Sequence, residues 1–246
     1  MRFFLALFDL FFPKKCLNCG NFGSFLCPPC LKILPIHPVQ HCPHCLRENA
    51  HGTLCDLCRR FPAVSDFWEI DRLFVVSPYV QSSLLQTVIK TMKYRNAYPL
   101  ATLMGDWMAT VFCAKNPVSK EEAPWTLVVP VPLHRLREKT RGYNQSRFLA
   151  QEVSKTLDCP IWEGLERVRN THPQAELSRK DRLKNVENAF ILKEKANLLN
   201  KKVVLIDDVC STGATLNACA APLRAAGVKE IWGVVLGRGQ AYGGPP

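Results

Sequence analysis

Four CxxC pairs precede residue 60 of this chain: Cys16/Cys19, Cys27/Cys30, Cys42/Cys45 and Cys55/Cys58. A module that short buries only roughly 60% of the surface its unfolded chain exposes, so burial alone seldom holds it together. Disulfides would need an oxidising compartment, and therefore an export signal. The opening MRFFLALFDLFFPKKC has one early positive charge, an apolar run interrupted by Asp9 and no small-residue cleavage site. No signal peptide is therefore expected. The chain is expected in the cytoplasm, free or at the inner face of the membrane, with metal as the staple. No apolar run reaches the roughly 18 residues of a membrane span.

A CxxC turn puts two thiolates on one face, and two such turns complete a tetrahedron of sulfurs. The spacing fits two successive zinc ribbons, Cys16, Cys19, Cys27 and Cys30, then Cys42, Cys45, Cys55 and Cys58. A crossed pairing of the first with the third turn, and the second with the fourth, is the alternative. The prolines of CPPC and CPHC suit a redox pair, but a thioredoxin-like motif belongs between a strand and a helix. Two structural zinc ions per chain are expected. His37, His41, His44 and His51 could replace a cysteine, which eight thiols make unnecessary. The first dozen residues, with Phe3, Phe4, Leu7, Phe8, Phe11 and Phe12, are apolar around a helix. They suit burial against the body, or a membrane-surface anchor lacking the usual cationic face.

A domain boundary is expected near Ala63, giving an N-terminal helix and double zinc ribbon over 1–63 and a second domain over 64–246. With 47% apolar residues the chain is not disordered. The second part alternates β-rich runs with helical patterns, the signature of an α/β fold with a mostly parallel sheet. Strands are expected at Leu73–Val80, Thr126–Val131, Lys202–Ile206 and Glu230–Leu236, with another near Phe190. Helices are expected at Ser83–Lys93, Tyr98–Phe112, Asn144–Thr156 and Thr215–Ala226. In such sheets ligands bind at the carboxyl ends of the strands.

The run from Val203 to Thr215, VVLIDDVCSTGAT, is the most informative of this part. Four apolar residues read as a buried strand ending at two carboxylates. A turn of small hydroxyl residues and one glycine then leads into a helix, so that backbone N–H groups converge on an anion at the helix start. Carboxylates accept from vicinal hydroxyls and the loop takes a phosphate, which together suit a ribose 5-phosphate. The chain has no Gly-Lys pair for a Walker loop and no GxGxxG after an early strand. Simple helix capping by Asp208 or Ser211 is the plainer alternative.

This run resembles the phosphoribosyl pyrophosphate (PRPP) motif of type I phosphoribosyltransferases. Cys210 departs from it, standing where an aliphatic residue is usual. The double CxxC module, VVPVPLHRLREKTRGYNQS (128–146) and RNTHPQAELSRKDRLKNVENAF (169–190) extend the likeness to the ComF family of competence proteins over essentially the whole length. The resemblance implies a type I phosphoribosyltransferase-like parallel sheet flanked by helices, with PRPP and magnesium as ligands. It also implies a part in handling or importing single-stranded DNA, alongside DNA-uptake proteins, during natural transformation. Asp207 and Asp208 would hold the ribose hydroxyls, while Cys210, Ser211, Thr212, Gly213, Ala214 and Thr215 would wrap the 5′-phosphate.

Expelling pyrophosphate needs cations around the leaving group. Residues 134–147 carry Arg135, Arg137, Lys139, Arg141 and Arg147 against Glu138, and are expected as a basic loop at a strand's carboxyl end. The family pattern puts Arg135, Arg141, Gly142, Asn144 and Gln145 on the pyrophosphate side, Gly142 as a close turn and Asn144 as a helix cap. Candidates for catalysis are Arg135, Arg141, Asp207 and Asp208. A second basic window, 165–184, has the chain order of a mobile cover, and Gln174, Arg182 and Asn185 look like family positions. His172 reads as a loop histidine or a proton carrier. Lys90–Tyr94 (KTMKY) suits a helix end with favourable cations, or part of a phosphate or nucleic-acid surface. No segment stands out as selecting an acceptor. Two functions stay open: an active transferase on an unidentified acceptor, or a nucleic-acid handling protein on the same fold. The formal charge of +11 is consistent with a focused anionic-ligand face near these windows.

Overall fold

The structure, a computed structural model, describes residues 14–45, 47–61, 68–94, 97–116, 118–170, 186–193 and 197–239. The expected N-terminal helix, the boundary near Ala63, and His172, Gln174, Arg182 and Asn185 lie outside these.

The cysteine module is one motif used twice. An antiparallel bridge, Lys15–Phe22 in the first copy and His41–Glu48 in the second, closes the turn that carries each leading CxxC pair. A five-residue helix follows, α1 (Pro28–Lys32) and α2 (Asp56–Arg60), each starting directly after the third cysteine of its copy. Helices this short are not stable alone. They are hung on the sulfur clusters, with Cys30 and Cys58 as their buried residues.

The main sheet contains β1 (Arg72–Pro78), β2 (Thr126–Pro130), β5 (Lys202–Cys210) and β6 (Glu230–Arg238) in the order β1-β6-β5-β2. All its pairings are parallel. β5 and β6 read as near-continuous apolar runs because both faces of the sheet are covered. One face carries α3 (Leu84–Met92), α4 (Tyr98–Lys115) and α6 (Gln145–Leu157). Its core joins Phe112, Met104, Leu149, Val204, Ile206 and Val234 with Cys16, Leu26 and Cys30 of the first cysteine copy. The other face carries α7 (Ala214–Ala225) and an antiparallel pair, β3 (Leu165–Arg167) with β4 (Phe190–Leu192). There Val203, Leu205, Leu216, Leu223, Val235 and Phe190 pack together.

Exposed sheet edges invite pairing with other chains, and here both are covered. Against β1, the buried Gln40 amide accepts from the Val75 N–H at 2.8 Å and donates to the Val75 carbonyl at 3.2 Å. The His37 N–H reaches the Val76 carbonyl, and the Gly52 carbonyl accepts from the Leu73 N–H. Residues between His37 and Thr53 thus cover this edge of β1. Along β2, Val128 exchanges backbone bonds with Pro160 and Trp162. No helix among the described residues is long and apolar enough to cross a membrane.

Two expected features are corrected. β5 does not end at the acid pair but runs through Asp207 and Asp208 to Cys210, because β6 continues beside it, pairing Asp207 with Val235 and Cys210 with Arg238. The segment read as a basic loop contains a helix, α5 (Arg135–Arg141). His134 Nδ1 accepts from the Leu136 N–H at its start, and Gly142 ends it at φ +86°, bonding to the Glu138 carbonyl.

Candidate functional site

β2 stops one strand position before the acid pair, since Pro130 is the partner of Ile206. Beyond that point the β2 side of β5 is open, and polar side chains from the following segment fill it. The Asn144 amide donates to the Val131 carbonyl at 3.0 Å, while its oxygen caps α6 through the Ser146 N–H. This fixes the first turn of α6 against the strand. Ser146 Oγ donates to Asp207 Oδ1 at 2.9 Å, and Gln145 Nε2 to Asp208 Oδ2 at 3.1 Å. Arg141 in turn donates to Gln145 Oε1. On the other side Lys93, at the C-cap of α3, places Nζ 3.1 Å from Asp208 Oδ2. The Tyr143 hydroxyl donates to the Met92 carbonyl, holding the end of that helix in place.

Both acids are buried. Burial, then the charge of Asp208, raises the Asp207 carboxyl well above the ordinary carboxylate range, against the Asp208 N–H, the Ser146 hydroxyl and Lys93. Burial alone would lower the Lys93 ammonium, but the charges of Asp208 and Asp207 outweigh it and hold it above its ordinary value. Guanidiniums crowd the same end of the sheet. Burial and then Arg141 lower Arg137. Burial and then Arg137 lower Arg167, with Cys219 and Asp207 opposing. Arg167 is itself buried, its guanidinium 5.4 Å from the Phe190 ring centre. Cations pressed together at the polar end of a sheet favour an anionic guest.

Beyond Cys210 the chain makes three bends, Ser211 to Gly213, and enters α7. The buried Thr212 turns its hydroxyl back to accept from the Ala214 N–H at 3.3 Å. Gly213 is the N-cap at φ +82° and makes no side-chain cap, so neither Asp208 nor Ser211 is there merely to cap the helix. The first amides of a twelve-residue helix therefore face the end of β5. Cys210 is buried, and burial pushes its thiol up. It is placed as a small apolar residue would be.

Of the expected residues, Asp207, Asp208, Arg141, Gly142, Asn144 and Gln145 come together at this end, next to the loop from Cys210 to Thr215. Arg135 does not join them; its exposed guanidinium pairs with Glu166 of β3 at 2.8 Å. Sequence reasoning missed Ser146 as a partner of Asp207, the ion pair of Lys93 with Asp208, and the burial of Arg167.

The cysteines form two separate groups, Cys16, Cys19, Cys27 and Cys30, and Cys42, Cys45, Cys55 and Cys58, with the sulfurs of each within 4.8 Å of one another. This is the sequential pairing, and the crossed one is excluded. Cys19 and Cys27 sulfurs are 3.6 Å apart, and Cys45 and Cys55 sulfurs 3.5 Å. A zinc tetrahedron with bonds of about 2.3 Å has edges of about 3.8 Å, whereas a disulfide needs about 2.05 Å. The Cys27 and Cys55 N–H groups point at the Cys16 and Cys42 sulfurs, and the Asn18 amide at Cys30. Each group could hold a metal ion, and its donor set fits zinc.

A parallel sheet with a buried acid pair at a strand's carboxyl end, leading through a hydroxyl loop into a helix, defines a phosphoribosyltransferase-like protein. The phosphoribosyl transferase domain family matches residues 144–246. Competence protein F of Haemophilus influenzae is 33% identical over 168 residues, 67% of this chain and 72% of that protein. Competence protein ComFC of Bacillus subtilis is 26% identical over 69% of this chain and 70% of its own length. DNA utilization protein YhgH of Escherichia coli is 37% identical over 109 residues, 43% of this chain and 47% of that protein. The chain belongs to the ComF family. Among solved structures, a purine phosphoribosyltransferase from Pyrococcus horikoshii is similar at 17% identity and a TM-score of 0.34, over 57% of this chain and 90% of that one.

Proposed function

We propose that this protein binds PRPP with magnesium at the carboxyl end of β5 and serves the handling of single-stranded DNA during uptake. The carrying observation is the buried pair Asp207–Asp208 beside the start of α7, with Ser146, Gln145 and Lys93 on its carboxylates. Asp207 and Asp208 accept the vicinal ribose hydroxyls. The loop from Cys210 to Thr215 receives the 5′-phosphate. Lys93 and Arg141 face the diphosphate, for which magnesium supplies further charge neutralisation. Zinc fills both cysteine groups in a structural role.

The DNA part of the proposal draws on the relatives named for competence and DNA utilization. It also draws on α5, a helix with no buried residue that carries Arg135, Arg137, Lys139 and Arg141. Phosphate contacts there would make binding fall with salt, and Arg135→Ala should reduce the salt slope for a labelled oligonucleotide by about one. An unchanged slope removes Arg135 from the DNA surface. A second reading, full transfer of the ribosyl group to an acceptor, is favoured by the guanidinium cluster of Arg137, Arg141 and Arg167, which suits a departing diphosphate. Its signature is acceptor-dependent pyrophosphate release.

Recognition of vicinal hydroxyls has its own test. Ribose 5-phosphate should bind roughly tenfold more tightly than 2-deoxyribose 5-phosphate, the equivalent of one lost hydrogen bond to a charged group. Equal affinities would contradict the role given to Asp207 and Asp208.

A further inference from the structure

The turn Cys42-Pro43-His44-Cys45 of the second cysteine group reaches both ends of the phosphate loop through Arg238 and Trp68. At one end, Arg238 donates to the Cys42 and Pro43 carbonyls at 3.3 and 2.9 Å. Arg238 is the strand partner of Cys210, the first loop residue, and the next residue, Gly239, gives its N–H to the Cys210 carbonyl at 2.9 Å. At the other end, the His44 ring meets Trp68 edge to face, centroids 5.7 Å apart. Trp68 lies so close to Gly213 that a Cβ there would come within 2.4 Å of its Cη2. The Trp68 Nε1 is buried without a hydrogen-bond partner, so packing against His44 and Gly213 orients the ring. The following residue is tied to the same helix, since the Glu69 N–H donates to Asn217 Oδ1 at 2.7 Å. His44 Nδ1 sits 3.5 Å from Cys58 Sγ, inside the cysteine group.

Resting on the PRPP reading above, we infer that His44 and Trp68 are positioning residues for the phosphate loop, and that the second cysteine group couples metal occupancy to ligand binding. The first group has no such contact among the described residues; its Cys16 and Cys30 join the hydrophobic core that includes residues of α4 and α6. Coupling between two sites is reciprocal. Metal in the second group holds the loop in shape for the phosphate, and a phosphate in the loop must slow metal loss from that group alone.

The experiment is release of zinc from the full chain to a chromophoric chelator, with and without PRPP and magnesium, alongside calorimetric PRPP affinity and zinc content. One of two release phases should slow about threefold or more with PRPP. His44→Ala should weaken PRPP roughly three- to ten-fold, the worth of one aromatic contact, and abolish the protection. Asn18→Ala, the matching change beside the first group, should do neither. If His44→Ala loses metal, Trp68→Phe leaves the turn intact and carries the comparison. PRPP that binds while both phases keep their rates overturns the coupling. Failure of the parent to bind PRPP overturns the site reading beneath it.

Discussion

Lys93 and Asp208 meet at 3.1 Å, joining the end of α3 to the acid end of β5. The Asp208 side chain is 5% exposed and that of Lys93 is 36% exposed. The ammonium thus compensates a buried carboxylate while keeping a path to solvent.

Replacing Lys93 by Met keeps the apolar stem and removes the charge. A fully buried pair broken this way loses roughly 3 to 5 kcal/mol, and the solvent access of Lys93 reduces that to about 1 to 3 kcal/mol. Urea unfolding at pH 7 should report it. Lys93→Arg should recover part of the loss, and equal midpoints for all three chains would show the contact to be idle.

Asp207 contributes a pH dependence of definite sign. Burial and the Asp208 charge push its carboxyl up to about 7, from an ordinary value of 3.8. A folded-state value above the unfolded one favours the protonated form. The contribution is fully present below about pH 4 and is lost as pH rises through about 7. Above that, the ionised acid strains the unliganded fold. Asp207→Asn should therefore be more stable than the parent by roughly 1 to 3 kcal/mol at pH 8, with the gap closing toward pH 4 in thermal unfolding. A pH-independent gap would contradict the assignment.

Two glycines at similar dihedral angles should respond differently to alanine. Gly142 has φ +86° and open space within 4 Å of where a Cβ would stand, whereas at Gly213, φ +82°, an added Cβ meets Trp68. Gly142→Ala carries only the left-handed backbone cost, about 1 to 2 kcal/mol. Gly213→Ala adds the collision and should lose more. Combining it with Trp68→Ala should recover part of the difference, a non-additivity that denaturation curves would reveal.

Metal analysis should find about two zinc ions per chain, each stabilising its copy on the order of 10 kcal/mol. Cys16 and Cys30 belong to the main core, so Cys30→Ser should cost the body of the protein its sharp thermal transition as well as one metal. Full zinc-free protein with an unchanged melting curve would exclude the structural role.

Much of this architecture was legible in the residues. The spacing of the cysteines pointed to two four-cysteine groups, with the sequential pairing favoured over the crossed one, and Asn144 at the head of α6 is the cap its side chain suggested. The run VVLIDDVCSTGAT located the acids and the loop, but its strand looked four residues too short, because acids depress strand propensity and the continuation depends on β6 alongside. The helix at Arg135–Arg141 was hidden by charge without apolar periodicity; Gly142 as its left-handed end was the available signal. Lys93 was recognisable as a helix-end cation, yet its partner comes from a distant strand. Contacts of that kind exist only once the sheet has assembled. For the same reason the side chain of Arg135, drawn to Glu166, leaves the centre to Arg141.

The central claim is that Asp207 and Asp208 hold a phosphoribosyl ligand, and calorimetric titration of PRPP at millimolar magnesium tests it most directly. The parent should bind, and the double variant Asp207→Ala with Asp208→Ala, shown folded by its melting curve, should lose at least tenfold in affinity, about 1.4 kcal/mol or more. A parent that does not bind PRPP, or a folded double variant that binds it equally well, would contradict the account.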